Sequence, residues 1–183
     1  MAKAVQQEIE SAFRTVVDQQ HGELRVDGQA FVLVQREVFA ELQKVLESIL
    51  GRGVEGVLNA AGYRRGRGVG ARLETLTGGQ LGPYVEGIRT FMAQTGLGHL
   101  DRFDVQDGRV LATVTNSFLA LGYGTSDRPV CHYLAGFLLA AGGQVLHRED
   151  LKSEEVKCFA MAEPDCSFVI GPVFDERPRR MEE

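Results

Sequence analysis

All three cysteines of this 183-residue chain, Cys131, Cys158 and Cys166, lie close together near its C-terminal end. Glu155 precedes the second cysteine by three residues, a spacing that lets one turn present both side chains. Zinc prefers four tetrahedral ligands and accepts thiolate, imidazole and carboxylate groups. The residues therefore predict a zinc site. They fit equally well a second interpretation, in which each cysteine is a small buried apolar side chain, and spacing alone does not decide between the two.

The composition limits the other uses of these cysteines. Their number is odd and the N-terminus lacks the apolar core of a signal peptide, so disulfides are not expected. No stretch approaches the ~20 apolar residues of a membrane helix. A net charge of −5 argues against a dedicated nucleic-acid binder. We therefore predict a cytoplasmic protein with no membrane span and no nucleic-acid partner.

Apolar periodicity predicts the order helix, hairpin, three helices, hairpin, helix and two strands. This order is typical of an α+β fold, with an antiparallel sheet and helices packed on one side. We expect a single domain over residues 1–173 and a polar tail over 174–183. The predicted helices cover residues 5–19, 38–50, 54–73, 83–95 and 133–141. The predicted strands cover residues 23–26, 30–35, 100–105, 109–117, 144–148 and 155–160, with Asp27-Gly28 and Asp107-Gly108 as hairpin turns.

The helix over residues 38–50 has its apolar side chains on one face. Val38, Leu42, Val45 and Ile49 recur at three- and four-residue steps. That periodicity is typical of a helix that lies against the core of its own domain. We therefore predict that this face is buried.

The next helix carries Gly62, Gly66 and Gly70 on one face. Each glycine costs a helix about 1 kcal/mol relative to alanine, so the stripe predicts a partner helix or a ligand close to the backbone. A phosphate-binding loop is the alternative, because arginines and further glycines surround Gly66. The Gly-Lys-Ser/Thr ending of that motif is missing, and the arginines fit a solvated face.

The C-terminal residues also resemble a known family. Pro-Val-Cys-His-Tyr-Leu-Ala-Gly over residues 129–136, Glu155-x-x-Cys158 and Asp-Cys-Ser-Phe over residues 165–168 resemble the 4-vinyl-reductase domain, also called the predicted hydrocarbon-binding domain. The resemblance implies a fold similar to that of TRAPP vesicle-tethering subunits. Phenol-sensing members hold a structural zinc ion with three cysteines and one glutamate at nearly this spacing. It therefore implies zinc ligation by Cys131, Glu155, Cys158 and Cys166.

A metal ion with four protein ligands has no open position, so the predicted zinc is structural and the chain is not expected to be an enzyme. His132 and His147 lie near the cysteines and can replace a ligand, although such histidines more often support the ligands or lie at the surface. No Ser/His/Asp grouping stands at a recognisable spacing.

Three functions fit the resemblance. The first is a small-molecule sensor or carrier for a hydrophobic or aromatic ligand. The second is a protein–protein adaptor, and the third an accessory protein or reductase of bacteriochlorophyll biosynthesis, which ranks last because no flavin or nicotinamide site is evident. A homodimer or a partner protein suits the first two. The candidate pocket residues are Phe91, Phe118, Tyr123, Tyr133 and Phe137.

Phenol itself fits this chain poorly as the ligand. The phenol sensors of the family grip the phenol hydroxyl with a tryptophan and a histidine. This sequence has no tryptophan, and His99 does not fall at the matching position.

Overall fold

The computed structural model describes residues 7–9, 11, 15–18, 21–26 and 29–172. Apart from the short helical stretch at 7–9 and 11, these residues form two antiparallel sheets and five α-helices. The helices are α1 (Arg36–Leu50), α2 (Gly53–Thr77), α3 (Leu81–Gln94), α4 (Phe118–Tyr123) and α5 (His132–Leu146). The strands are β1 (Thr15–Asp18), β2 (Glu23–Val26), β3 (Gln29–Phe31), β4 (His99–Gln106), β5 (Arg109–Thr115), β6 (Leu151–Lys157) and β7 (Cys166–Pro172).

The four-stranded sheet has the order β4-β5-β7-β6, and β1, β2 and β3 form a separate small sheet. Along β5, Val110, Ala112 and Val114 are buried while the residues between them are half-buried. This alternation places one face of the large sheet against the core and leaves the other partly open. The predicted α+β class with antiparallel strands is confirmed. None of the helices in the part of the chain that the structure describes combines the length and hydropathy needed to cross a bilayer.

Helices α2 and α5 pack with their backbones nearly in contact at glycine positions. A Cβ atom added at Gly62 would lie 1.9 Å from the carbonyl oxygen of Tyr133, and one at Gly136 would lie 1.9 Å from that of Asn59. Gly66 faces the backbone of Phe137 in the same way. The predicted close approach of a partner helix is confirmed at Gly62 and Gly66, whereas Gly70 faces the hydroxyl of Tyr84.

Helix α1 lies in the opposite orientation to the one predicted. Its buried residues are Ala40 and Gln43. The apolar stripe of Val38, Leu42, Val45 and Ile49 is exposed, so the prediction of a buried stripe is wrong. The physical reason is that the inner face has polar partners: the Gln43 side-chain amide donates to the Val130 carbonyl at 3.1 Å, which satisfies a buried group.

Glu47, on the same inner face of α1, accepts hydrogen bonds from three side chains. Tyr123 Oη donates at 2.6 Å, Gln43 Nε2 at 3.1 Å and Arg128 Nη2 at 3.3 Å. Burial alone would raise the pKa of Glu47, but the hydrogen bonds from Tyr123 and Gln43 and the charge of Arg128 outweigh it, so the net pKa is lowered. Burial and the Glu47 contact raise the pKa of Tyr123 to about 12. This cluster ties α1 to α4 and to the segment before α5.

A Glu47→Gln substitution is expected to lower the free energy of unfolding at pH 7 by about 1.5–3 kcal/mol, the range for hydrogen bonds to a charged group. Because the folded-state pKa of Glu47 is lowered, its contribution is present above the unfolded pKa and disappears as the pH falls through the folded value. Urea unfolding of both proteins between pH 7 and pH 3 should therefore converge at the acidic end. The control is Glu41→Gln, since Glu41 forms an ion pair with Lys44 on the exposed side of α1 and should contribute less than ~1 kcal/mol. Equal effects of the two substitutions would contradict this role of Glu47.

Several predicted boundaries differ from the structure. The helix predicted over residues 5–19 is wrong at 15–18, which form β1, although residues 7–9 and 11 are helical. The strand predicted over 144–148 is also wrong, because α5 continues to Leu146 and ends with His147 in a left-handed conformation at φ 51°. The following strand runs over 151–157, and β7 had no predicted counterpart. The Asp27-Gly28 turn and the predicted tail over 174–183 lie outside the described residues.

Candidate functional site

The structure brings Cys131, Glu155, Cys158 and Cys166 together at one end of the large sheet. Their candidate ligand atoms, three Sγ atoms and a carboxylate oxygen, all lie within 4.8 Å of one another. The Sγ atoms of Cys131 and Cys166 are 3.6 Å apart. All three cysteines are buried, so the four side chains form an enclosed cluster.

Each member of the cluster stands where a different element begins or ends. Cys131 immediately precedes α5, Cys158 follows β6 and opens a short 3₁₀ turn (Phe159–Met161), and Cys166 is the first residue of β7. Glu155 pairs with Phe168 across β6 and β7, where the register shifts between Glu155 and Lys157. This bulge sends the end of β6 toward the start of α5.

Backbone amides point at the cluster as they do at anionic groups. The Cys131 amide donates to Glu155 Oε2 at 2.8 Å, and the Phe159 amide donates to Cys166 Sγ at 3.4 Å. Hydrogen bonds from Cys131 and Cys166 lower the pKa of the Cys158 thiol, and a hydrogen bond from the Val130 backbone lowers it further. Amide N–H groups aimed at sulfur and carboxylate favour their ionised forms.

The cluster holds more acidic groups than a buried site can ionise by itself. Burial raises the pKa of the Cys131 thiol well above its usual range, and hydrogen bonds with Cys158 and Cys166 raise it further. Burial and the neighbouring Cys158 raise the pKa of Glu155 to about 8. A divalent cation at the centre would reverse these shifts, because a metal ion is the largest local charge in its site.

The geometry fits a four-coordinate zinc ion. Tetrahedral zinc with Zn–S bonds of ~2.3 Å places two thiolates ~3.8 Å apart, close to the observed separation of Cys131 and Cys166. A disulfide would need ~2.05 Å, and all three cysteines are free. Glu155 Oε1 is buried and has no hydrogen-bond partner among the described residues, which leaves it available as a ligand atom. Within those residues neither His132 nor His147 joins the cluster.

The five candidate pocket aromatics divide into separate groups. Phe91 and Phe137 are buried and stack on each other, with ring centroids 5.8 Å apart. Phe118 and Tyr133 pack edge-to-face with each other and with Phe39 of α1. Tyr123 donates its hydroxyl hydrogen bond to Glu47. As residues that bind a ligand, these five side chains remain a prediction.

A polar cleft of about 470 Å³ opens beside the cluster, between the start of α2, the start of α5 and β6. The Ser153 hydroxyl is buried there without a hydrogen-bond partner in the described part of the chain. The side chains that line this cleft include Arg52, Glu55, Asn59, Arg128, His132, Ser153, Glu154 and Glu155.

A second cleft, of about 240 Å³, lies between the end of α2, the start of α3, β4 and the end of α5. Its walls are mostly apolar, with Leu81, Val105 and Val145 among the lining residues. Tyr84 also lines it, and the Tyr84 hydroxyl is buried with no hydrogen-bond partner in the described ranges. Burial raises the pKa of Tyr84 above its ordinary range, so the hydroxyl stays protonated. No sequence pattern indicated this cleft, because its residues come from four separate elements.

The 4-vinyl-reductase domain family matches residues 110–172, a range that includes all four residues of the cluster. The predicted resemblance is confirmed. No curated protein matches the chain. The family match covers β5, α4, α5, β6 and β7, so the family signature spans the elements that carry the cluster.

Solved structures extend the likeness over most of the chain. The phenol-responsive sensory domain of the transcription activator PoxR, solved with phenol, is 15% identical, with a TM-score of 0.75 over 94% of this chain and 90% of that one. A vinyl-4-reductase family protein from Methanocaldococcus jannaschii has a TM-score of 0.55 at 15% identity, over 79% and 85% of the two chains. Subunit 3 of a trafficking protein particle complex from Naegleria fowleri, covalently bound to palmitic acid, has a TM-score of 0.51 at 12% identity, over 76% and 95%. At these identities the likeness establishes a shared fold.

Proposed function

We propose that this chain is a small-molecule sensor or carrier domain whose C-terminal half is held together by a structural zinc ion. The observation that carries the proposal is the buried hydroxyl of Tyr84, which has no partner among the described residues and lies in a largely apolar cleft. Binding sites for small molecules are mostly apolar with a few well-placed polar groups. The shared fold with a phenol-responsive sensory domain supports the same class of function.

The chemistry of the cleft favours a small hydrophobic or aromatic molecule with one hydrogen-bond acceptor. Leu81, Val105 and Val145 offer apolar contact, and the Tyr84 hydroxyl offers a donor that folding has already removed from water. A ligand that accepts this hydrogen bond recovers part of the ~1–3 kcal/mol cost of an unsatisfied buried group. The cleft is smaller than the ~300–1,000 Å³ of drug-sized pockets, which favours a compact ligand.

Zinc in this proposal is held by Cys131, Glu155, Cys158 and Cys166 and supplies structural cross-linking. Four protein ligands leave no position for a substrate or a reactive water, so no catalytic step is assigned to it. The residues themselves fix the start of α5 against the end of β6 and the start of β7. The zinc ligands lie on the same helix and sheet that wall the Tyr84 cleft, and the ion would therefore steady the framework of the ligand site.

The ligand proposal predicts a pattern across two tyrosine variants. A thermal-shift screen of compact aromatic and apolar compounds should find a binder, and ligand at 100 times its dissociation constant adds about 2.7 kcal/mol of stability. Tyr84→Phe should reduce the ligand-induced shift and leave the ligand-free protein as stable as before, because it removes an unpartnered hydroxyl.

Tyr133→Phe is the matched control, because Tyr133 belongs to the ring cluster with Phe118 and lies outside the Tyr84 cleft. It should leave the ligand-induced shift unchanged. A loss of binding in Tyr133→Phe with none in Tyr84→Phe would transfer the site to the predicted aromatic residues. Indifference to every aromatic and apolar compound would contradict the sensor proposal.

A further inference from the structure

Helix α1 has its polar residues turned inward and its apolar residues turned outward. Gln43 is buried, and the Glu47 side chain is only 11% exposed. Val38, Leu42, Val45 and Ile49 are 53–70% exposed. A surface helix normally shows the reverse arrangement, since burial of apolar side chains stabilises the fold. Gln43 and Glu47 have protein partners inside, so the exposed stripe is a settled feature of this domain and not a misplaced core face.

The exposed stripe belongs to a larger apolar surface, which we call the α1 face. Val32 and Leu33, directly before the helix, are 81% and 86% exposed. The remaining members are Val34, Val38, Leu42, Val45, Ile49, Leu50 and Val57. Monomeric proteins rarely expose contiguous apolar patches larger than a few hundred Å². The exposed area of these residues is of the same order as the ~800 Å² that each partner contributes to a standard interface.

We propose that the α1 face packs against the α1 face of a second copy of this chain. Two features favour a copy over an unrelated partner. The stripe repeats at steps of four, three and four residues, the spacing of a seam between two equal helices. The stripe also contains no charge, so a two-fold contact of the surface with itself brings no like charges together, and apolar interfaces of this kind are typical of permanent homodimers.

The charged residues of α1 lie to the side of the stripe. Glu41 and Lys44 form an ion pair with each other at 2.8 Å within one copy, and Arg36 pairs with Glu37 in the same way. Each copy therefore brings a locally neutral border to the contact. This arrangement suits a polar rim around an apolar centre, the usual anatomy of a protein–protein interface.

The test is the oligomeric state of the full chain and of a Leu42→Glu variant by sedimentation velocity. The unmodified chain should sediment as a dimer at concentrations well above ~1 µM, the weak end for interfaces of this size. Leu42→Glu places a charge at the centre of the seam and should shift the protein to monomer. Its far-UV circular dichroism and melting profile serve to show that the monomer is folded.

The control is Leu81→Glu, which adds the same charge at a residue of similar exposure, 49% against 53%, on the first turn of α3. It should remain a dimer. A monomeric unmodified chain at these concentrations would overturn the proposal, as would a Leu42→Glu protein that stays dimeric. The ligand and zinc proposals do not depend on this outcome, because the α1 face shares no residue with the Tyr84 cleft or the cysteine cluster.

Discussion

Replacement of Cys158 by serine is expected to remove zinc from the protein and to lower its free energy of unfolding by several kcal/mol. The reason is that the apparent binding free energy of structural zinc, ~10–16 kcal/mol in small zinc domains, is coupled to folding. The purified unmodified chain should contain about one zinc ion per chain by elemental analysis, as a single four-ligand site requires. A chelator should lower its melting temperature and should have little further effect on Cys158→Ser.

A pair of neighbouring glutamates separates metal ligation from general destabilisation. Glu155 lies in the cluster, whereas Glu154 is exposed on the same strand and pairs with Val169. Glu155→Gln should weaken zinc retention, because a neutral amide is a poorer zinc ligand than a carboxylate. Glu154→Gln should retain zinc and stability. A zinc-free protein whose stability is indifferent to chelator and to Cys158→Ser would instead support cysteines that are plain buried side chains.

The cluster could be predicted from the sequence because its information is local. Glu155, Cys158 and Cys166 lie within one hairpin, and a single turn and a bulge suffice to bring them together. Cys131 is more distant in sequence, and only the packing of α5 on β6 places it 3.6 Å from Cys166. Spacing alone left the metal and buried-thiol interpretations open, and the family resemblance raised the first above the second.

The orientation of α1 could not be predicted, because hydropathy reports that a face avoids water and not what covers it. Val38, Leu42, Val45 and Ile49 give the same periodicity whether they lie against their own core or against another molecule. The inward position of Gln43 depends on the Val130 carbonyl, which is 87 residues away in the chain. The Tyr84 cleft was missed for a related reason, since four elements separated in sequence form its walls.

The end of α5 shows a further limit of periodicity. Residues 144–148 are short and partly apolar, a pattern that suits a strand or the last turn of a helix equally well. The structure continues the helix to Leu146 and ends it at His147, whose left-handed conformation turns the chain toward β6. The helix was favoured by packing on β6 and on α2, which a local pattern does not contain.

Gly62→Ala is expected to be among the most destabilising single substitutions in the chain. The added Cβ would lie 1.9 Å from the Tyr133 carbonyl oxygen and 2.8 Å from its carbon. Both atoms belong to backbone and have no rotamer by which to move away, so α2 and α5 must separate along their contact. Overpacking in a well-ordered core costs ~1–3 kcal/mol and occasionally more, and a backbone clash of this depth should reach or exceed ~3 kcal/mol.

Gly68→Ala is the control on the same helix, because a Cβ at Gly68 would meet nothing within 4 Å. It should stabilise the protein by up to ~1 kcal/mol, the difference in helix propensity between alanine and glycine. Opposite signs for the two substitutions in urea unfolding would show that packing against α5 decides the effect at Gly62. Equal small effects would contradict the close approach of the two helices.

Gly136→Ala tests the same contact from α5, since its Cβ would lie 1.9 Å from the Asn59 carbonyl oxygen. The two glycines face one another's helices within a single contact, so their effects should not be additive. Once one alanine has forced the helices apart, the second should cost less than it does alone, and a double-mutant cycle should return a coupling of ~0.5–3 kcal/mol. Full additivity would mean that each helix relaxes locally around its own alanine. In that case the close packing of α2 on α5 would not be the feature that holds the start of α5, and with it Cys131, in place.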